Sequence, residues 1–121
     1  MASKYPRELG QFYASLTNSE LKPGLTSKDF YVTNQDGLMI HFYRPSSRKD
    51  FPIKSRKLSL CLNSAPKLDP MKHLTLWIDQ LISLGASLSE KPKAESFGVE
   101  AWLDDPEGNS FLVLVPGKKI N

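Results

Sequence analysis

The N-terminal part of the chain carries apolar side chains at helical spacing. They fall at positions i, i+3, i+4 and i+7, on one stripe of a helix: Leu9, Phe12, Tyr13 and Leu16. Pro6 suits the first helical position, because proline lacks the amide hydrogen that would have no partner there. The pattern therefore predicts a helix over residues 6–16, followed by turn-forming residues up to Gly24.

Two strand-like segments follow over residues 28–33 and 38–43, and a turn containing Asp36 and Gly37 joins them. This combination predicts a β-hairpin. In the second segment one face carries Leu38, Ile40 and Phe42, and the other carries Met39, His41 and Tyr43. An apolar face opposite a mixed one is typical of a sheet that helices cover on one side only.

The second half of the chain repeats these patterns, beginning with a strand over residues 57–63. Its faces carry Leu58, Leu60 and Leu62 on one side and Lys57, Ser59 and Cys61 on the other. Asp69 and Pro70 then form a helix start, and Gly85 supplies a left-handed stop. The apolar stripe of this helix consists of Met71, Leu74, Trp77, Ile78, Leu81 and Leu84.

Three further strands are predicted over residues 86–89, 97–103 and 110–115, and a turn joins the last two. In this turn we interpret Asp105 and Asn109 as residues whose side chains cap the local backbone. The two halves thus share the order helix, short strand and two joined strands, an internal repeat of roughly 55 residues. A strand precedes the helix of the second half, whereas only residues 1–5 precede the first helix.

Composition bounds the class of protein. A length of 121 residues fits one domain, and 40% hydrophobic with 24% charged residues is typical of a folded chain. The sequence has neither an apolar run near 18 residues nor a signal-peptide core, so we expect no membrane segment and a cytoplasmic location. One cysteine and two histidines exclude an internal disulfide and a Cys/His zinc site.

The net charge of +3 comes with its densest basic stretch over residues 48–57. Pro52 interrupts this stretch, and Phe51 is the one aromatic residue within it. A nucleic-acid site needs basic groups on an ordered face with stacking rings between them. We therefore interpret the stretch as a solvated connection and expect no nucleic-acid partner.

The βαβββ order, together with the strings LGQFYASL, WIDQLISLGAS and DDPEGNSFLVLV, resembles the vicinal oxygen chelate superfamily. Within it, the chain is similar to the glyoxalase-like branch that also contains bleomycin-resistance proteins. The resemblance implies an α+β fold in which two βαβββ modules form a cup-shaped mixed sheet, with helices outside and a small-molecule site inside. One domain, residues 1–121, would contain modules at about 5–45 and 57–116 with a connection at 46–56, and the first strand of the first module would be missing or very short.

The resemblance also implies where metal-dependent relatives hold a divalent ion. A histidine begins the first strand of each module, and a glutamate lies near the end of each last strand. These positions fall at Lys57 and Leu112 in the second module, whereas in the first module the carboxylate position falls near Tyr43 and the histidine has no counterpart. Lys57 would repel a cation and Leu112 offers no donor atom, so we expect neither a metal ion nor another cofactor.

The residues expected to line the cup are those of the mixed faces: Tyr31, Met39, His41, Tyr43, Lys57, Ser59, Cys61, Glu100, Trp102, Leu112 and Leu114. Tyr43 and Trp102 would form a ligand platform or fill a collapsed interior. His41 and Glu100 are the candidates for acid/base catalysis, and the alternative for His41 is a hydrogen-bonded structural role. Cys61 would be a small buried residue or a cup thiol whose pKa Lys57 lowers.

Three functions follow from these features. The first is a metal-free domain that binds a small, partly apolar organic ligand without catalysis. The second is an enzyme of lyase, isomerase or dioxygenase type with a rearranged metal or acid/base site around His41 and Glu100. The third is an interaction module, because a missing first strand would leave unpaired backbone that a second copy or another protein could occupy. Pairing of modules across subunits in the family also implies a homodimer.

Overall fold

The computed structural model describes residues 1–45 and 59–119. Contacts within the chain divide it into two units, Met1–Lys54 and Ser55–Asn121, and each combines a helix with a sheet. The α+β class predicted from the sequence is confirmed, and so is the repeated order of elements.

The first unit packs helix α1 (Pro6–Leu16) on one face of a sheet. The sheet has the antiparallel order β1, β2 and β3, which span Glu20–Pro23, Asp29–Thr33 and Met39–Tyr43. Tyr13 of the helix stacks on Phe42 of β3 with ring centroids 5.5 Å apart, and both side chains are buried. Strand β1 lies in the segment that the sequence assigned to turns, and it is too short and polar to show an alternating pattern.

A very short first strand is present in this unit. Ala2 forms a parallel bridge with Tyr43, whose amide donates to the Met1 carbonyl at 3.1 Å. The Ser3 amide donates to the Tyr43 carbonyl at 2.9 Å. Of the two alternatives that the sequence left for this strand, missing or very short, the structure shows the second, because two backbone hydrogen bonds suffice to add this segment to the sheet. The edge of β3 at Tyr43 is consequently paired.

The second unit packs helix α2 (Pro70–Ser83) against a sheet in the order β4, β8, β7 and β5, with β6 also paired to β7. The strands span Cys61–Asn63 (β4), Ser87–Leu88 (β5), Lys93–Glu95 (β6), Gly98–Asp104 (β7) and Ser110–Pro116 (β8). Strand β4 runs parallel to β8, as Ala2 does to Tyr43 in the first unit. The predicted helix signals are confirmed: the Asp69 side chain accepts from the Lys72 amide at 3.2 Å, and Gly85 has φ +114°.

The buried stripe of α2 is narrower than predicted. Leu74, Ile78 and Leu81 are buried, whereas Met71 and Leu84, near the two helix ends, stay more than a third exposed. Trp77 is half-buried. A helix lying on a sheet buries only the arc that faces the strands, so apolar residues on the flanks and at the ends retain contact with water.

The turn of the first hairpin is held by the Asn34 side chain. Its Oδ1 atom accepts from the amides of Asp36 and Leu38, both at 3.0 Å. Gly37 takes φ +89°, in the left-handed region that glycine adopts without steric cost. The turn is thus closed by one side-chain oxygen that replaces backbone partners.

The turn of the second hairpin repeats this arrangement with Asp105. Its Oδ1 atom accepts from the amides of Glu107 at 2.9 Å and Asn109 at 3.0 Å, and Gly108 takes φ +83°. The Asn109 side-chain amide also donates to Asp105, at 2.9 Å to Oδ2. The predicted capping role of Asp105 is confirmed. The internal repeat includes this hydrogen-bond pattern, because a side-chain Oδ1 atom accepts from two backbone amides in both turns.

Among the residues with described positions, no helix combines the length and apolar character that crossing a lipid bilayer requires.

Candidate functional site

The face of the first sheet that α1 does not cover carries the predicted site residues of this unit. Tyr31 lies directly opposite His41 across the β2–β3 pair, so their side chains share a face. Met39 and Tyr43 follow on the same face by alternation, and they are 67% and 40% exposed. The division into a covered apolar face and an open mixed face is therefore as predicted.

Three aromatic rings form a cluster on this open face. The Tyr31 and His41 rings are stacked, with centroids 4.5 Å apart and planes within 11°. The Tyr43 ring, two positions further along β3, lies 5.6 Å from the His41 ring at an angle of 34°. We call Tyr31, His41 and Tyr43 the aromatic cluster. It offers planar apolar surface with polar atoms at the ring edges.

Asp29 holds the imidazole of the aromatic cluster. Its Oδ2 atom lies 3.3 Å from Nε2 of His41. Its Oδ1 atom accepts from the Thr26 amide at 2.8 Å and from the Thr26 hydroxyl at 2.7 Å. The hydrogen bonds from Thr26, and then that from His41, lower the pKa of Asp29 below its usual value. The carboxylate is therefore ionised at neutral pH.

Sequence reasoning missed Asp29. It lies directly opposite Tyr43 in the register, hence diagonal to His41, and the alternation of β2 puts it on the face of Tyr31. The signal was thus present in the register of the predicted hairpin. The hydrogen bond supports the structural alternative for His41, while its pairing with Glu100 of the second unit stays a prediction.

The uncovered face of the second sheet carries the other predicted residues. Two rows run across the strands: Cys61, Leu112 and Trp102 form one, and Asn63, Leu114 and Glu100 form the next. The intervening residues of β7 and β8, Ala101 and Val113, point to the covered face and are buried. Ser59 precedes β4, and its buried hydroxyl has no hydrogen-bond partner among the residues with known positions. Lys57 lies outside the described residues.

The residues at the metal positions of the family do not fit a divalent ion. Leu112 stands at the carboxylate position of the closing strand, between Cys61 and Trp102 in the register, and contributes no donor atom. Within residues 1–45 and 59–119, no three His, Cys, Asp or Glu side chains converge on one point. A divalent cation needs several such donors, so the donor set at these positions is unsuited to it.

Cys61 departs from the first of the two alternatives proposed for it, a small buried residue. Its side chain is exposed rather than buried. Partial burial of the sulfur and then the negative charge of Glu100 raise the pKa of the Cys61 thiol, whereas the sequence predicted a lowered pKa. Burial is the larger cause, and Glu100 adds to it because it shares this face of the sheet, two strands away.

Glu100→Gln should speed the alkylation of Cys61 by iodoacetamide a few-fold near neutral pH. Removing the carboxylate charge lowers the pKa of the thiol, and the thiolate is the reactive form. The rate can be followed by mass spectrometry on native protein, with Glu95→Gln on β6 as the matched control. Equal rates for all three proteins would show that Glu100 does not act on Cys61.

Two surface clefts contain none of the predicted site residues. One, of about 580 Å³, lies in the first unit and is lined by Thr17, Asn18, Ser19, Glu20, Lys22, Thr33, Asn34, Gln35 and Asp36. The other, of about 350 Å³, lies in the second unit beside α2 and is lined by Asn63, Ser64, His73, Leu76, Trp77 and Gln80. None of the three rings of the aromatic cluster lines either cleft.

Solved structures share this fold at low sequence identity. A glyoxalase/bleomycin resistance protein/dioxygenase family enzyme from Burkholderia phytofirmans superposes with a TM-score of 0.72 at 15% identity, over 93% of this chain and 91% of the other. Hypothetical protein SA1046 from S. aureus gives 0.72 at 12% identity, over 95% and 88%. A variant of the fosfomycin resistance protein FosX from Listeria monocytogenes, complexed with Mn(II) and 1S,2S-dihydroxypropylphosphonic acid, gives 0.68 at 13% identity, over 98% and 86%.

The family is established by a sequence model. Comparison with curated proteins gives no match. The model of the glyoxalase-like domain matches residues 1–114, which is nearly the whole chain. The repeated modules, the shared fold and this match agree with one another. The chain therefore belongs to the glyoxalase-like domain family.

Proposed function

We propose that this chain is a binding protein that holds a small, partly apolar organic ligand against the aromatic cluster, without a divalent metal and without catalysis. The observation that carries the proposal is the stack of Tyr31 on His41, on a sheet face that α1 leaves open.

Exposure of these rings supports the proposal. The His41 side chain is 42% exposed and Met39 stands beside it in the strand, exposed as well. Apolar surface in contact with water costs free energy that a ligand of matching shape recovers. The polar ring edges then orient the ligand.

The chemistry of the donor set supports binding without metal. By the resemblance, the carboxylate positions of metal-dependent relatives fall at Leu112 and near Tyr43, and neither of these residues supplies a carboxylate oxygen. The FosX neighbour was complexed with Mn(II) and a small phosphonic acid. We propose that this chain retains the small-molecule ligand class and has lost the metal.

The second face offers a further apolar surface for such a ligand. Trp102, Leu112 and Leu114 are each half-buried there, on the side opposite the core of that sheet. Cys61, Ser59 and Lys57 remain candidates on the same face, as the sequence predicts.

An acid/base enzyme is the second candidate function. The specific observation in its favour is the Asp29–His41 contact of 3.3 Å, which provides an oriented imidazole. In such an enzyme Asp29 would be the carboxylate partner of His41, a role for which the sequence suggested Glu100. Loss of turnover in His41→Ala, for any substrate that the protein converts, would support it.

The interaction module has less support, because the Met1–Ser3 segment pairs with β3 where the sequence predicted unpaired backbone. A homodimer stays an expectation from the family.

A ligand screen by thermal shift tests the proposal. Chelator-treated protein is heated with a panel of aromatic and aliphatic metabolites, and a true ligand at a hundred times its Kd adds about 2.7 kcal/mol to the free energy of unfolding. Tyr31→Ala should remove the shift, whereas Phe97→Ala, an exposed ring in the second unit, should keep it. A shift that needs added Mn(II), Ni(II) or Zn(II), or that survives Tyr31→Ala, would contradict the proposal.

A further inference from the structure

We infer that Asp29 fixes the tautomer of His41, so that the aromatic cluster presents a hydrogen-bond acceptor, Nδ1, and selects neutral aromatic ligands that carry a hydroxyl donor. This inference rests on the proposed function and deepens it by naming the ligand class.

The first step concerns the proton on Nε2. The hydrogen bonds from Thr26 hold the Asp29 carboxylate in its ionised form, in which both oxygens are acceptors only. Since Oδ2 lies 3.3 Å from Nε2, the proton of this hydrogen bond belongs to Nε2. A neutral imidazole with Nε2 protonated has a lone pair on Nδ1.

The second step is that Nδ1 is available to a ligand. Within residues 1–45 and 59–119, the only hydrogen bond of the His41 ring is the one to Asp29. The side chain is 42% exposed, so a ligand from solution can reach the imidazole ring.

The third step is that the ring keeps its orientation. Tyr31 covers one face of the imidazole at 4.5 Å, and Tyr43 lies beside it at 5.6 Å. Turning the ring over would remove Nε2 from Asp29 and give up the hydrogen bond to a charged acceptor. The direction in which Nδ1 points is therefore set by the surrounding groups.

The fourth step gives the charge of the ligand. Asp29 lies against the imidazole, and Glu20 lies on the same face by its pairing with Thr33. Lys22 lies directly opposite Tyr31 and 3.9 Å from Glu20, and the N-terminal ammonium of Met1 donates to the His41 carbonyl. These two positive charges balance the two carboxylates, so no net charge on this face attracts an ionic ligand, and a neutral aromatic alcohol fits better than an aromatic acid.

A matched pair of probes tests the inference. 2-Naphthol carries the donor, and 2-methoxynaphthalene has the same rings with the donor methylated. Titrations followed by NMR signals of Tyr31 and Tyr43 should give about tenfold tighter binding of 2-naphthol, the value of one hydrogen bond. Equal affinities would overturn the inference alone. If neither probe moves these signals, the inference is overturned, whereas the proposed function is decided separately by the ligand screen.

The tautomer can be read without any ligand. The ring nitrogens of His41 in a long-range ¹H–¹⁵N spectrum should show Nε2 protonated, with His73 as an internal control. Asp29→Asn should mix the two tautomers and abolish most of the preference for 2-naphthol. Thr26→Val removes one hydrogen bond to Oδ1 of Asp29 and leaves the contact of Oδ2 with His41. This variant should therefore keep both the tautomer and the preference for 2-naphthol. A His41 protonated on Nδ1 in the native protein would overturn the inference even if Asp29→Asn fails to fold.

Discussion

Asp105→Ala is expected to lower the free energy of unfolding by about 3 kcal/mol. Asp105 is 3% exposed, and its carboxylate accepts from two amides and one side chain in the second hairpin. Without it, the amides of Glu107 and Asn109 lose their acceptor in a half-buried turn where water replaces it poorly. Urea denaturation followed by circular dichroism measures the change.

The matched control is Asn34→Ala, which removes the equivalent acceptor from the first hairpin. We expect a loss of about 1 kcal/mol there, because that turn is more exposed and water can hydrogen-bond the freed amides. Equal losses in the two variants would show that burial does not distinguish the two turns.

Phe42→Ala is expected to cost about 4 kcal/mol, the range for deleting a buried aromatic side chain. Phe42 is fully buried and stacks on Tyr13 under α1. Met39→Ala, on the opposite face of the same strand, should cost less than about 0.5 kcal/mol. Thermal and urea unfolding of the two variants compare the faces directly.

The comparison also bears on function. The proposed ligand surface needs a face that stays open in the free protein. A cost for Met39→Ala close to that of Phe42→Ala would mean that the supposedly open face is packed, and the aromatic cluster would then be core rather than a binding surface.

The sequence predicted the parts of the fold that local residue patterns determine. Pro6, the Asp69-Pro70 pair and Gly85 mark helix ends because their backbone chemistry acts within a few residues. Alternation along β3 and β7 assigned the covered and open faces because side-chain direction in a strand has period two.

The local patterns in the sequence did not locate the short edge elements. Strands β1 and β6 are short and mostly exposed, and the Met1–Ser3 segment joins the sheet through backbone hydrogen bonds around Tyr43. Backbone pairing of this kind leaves little trace in side-chain patterns. Residue propensities and hydrophobic periodicity therefore do not indicate these short strands.

The candidate site was predicted as a set of residues on two faces, without the contacts that give it chemistry. Asp29 and His41 are separated by twelve positions and meet only through the register of the hairpin. The pKa of Cys61 likewise depends on Glu100, which arrives from a different strand. Tertiary pairing determines both features, so single-strand reasoning misses them.

Calorimetric titration of the best ligand from the screen into chelator-treated protein tests the proposed function most directly. We predict one Kd, unchanged when Mn(II), Ni(II) or Zn(II) is added, and a loss of binding in Tyr31→Ala with the fold intact. Binding heat that appears only after a divalent metal is added, or that Tyr31→Ala leaves unchanged, would contradict a metal-free ligand site on the aromatic cluster.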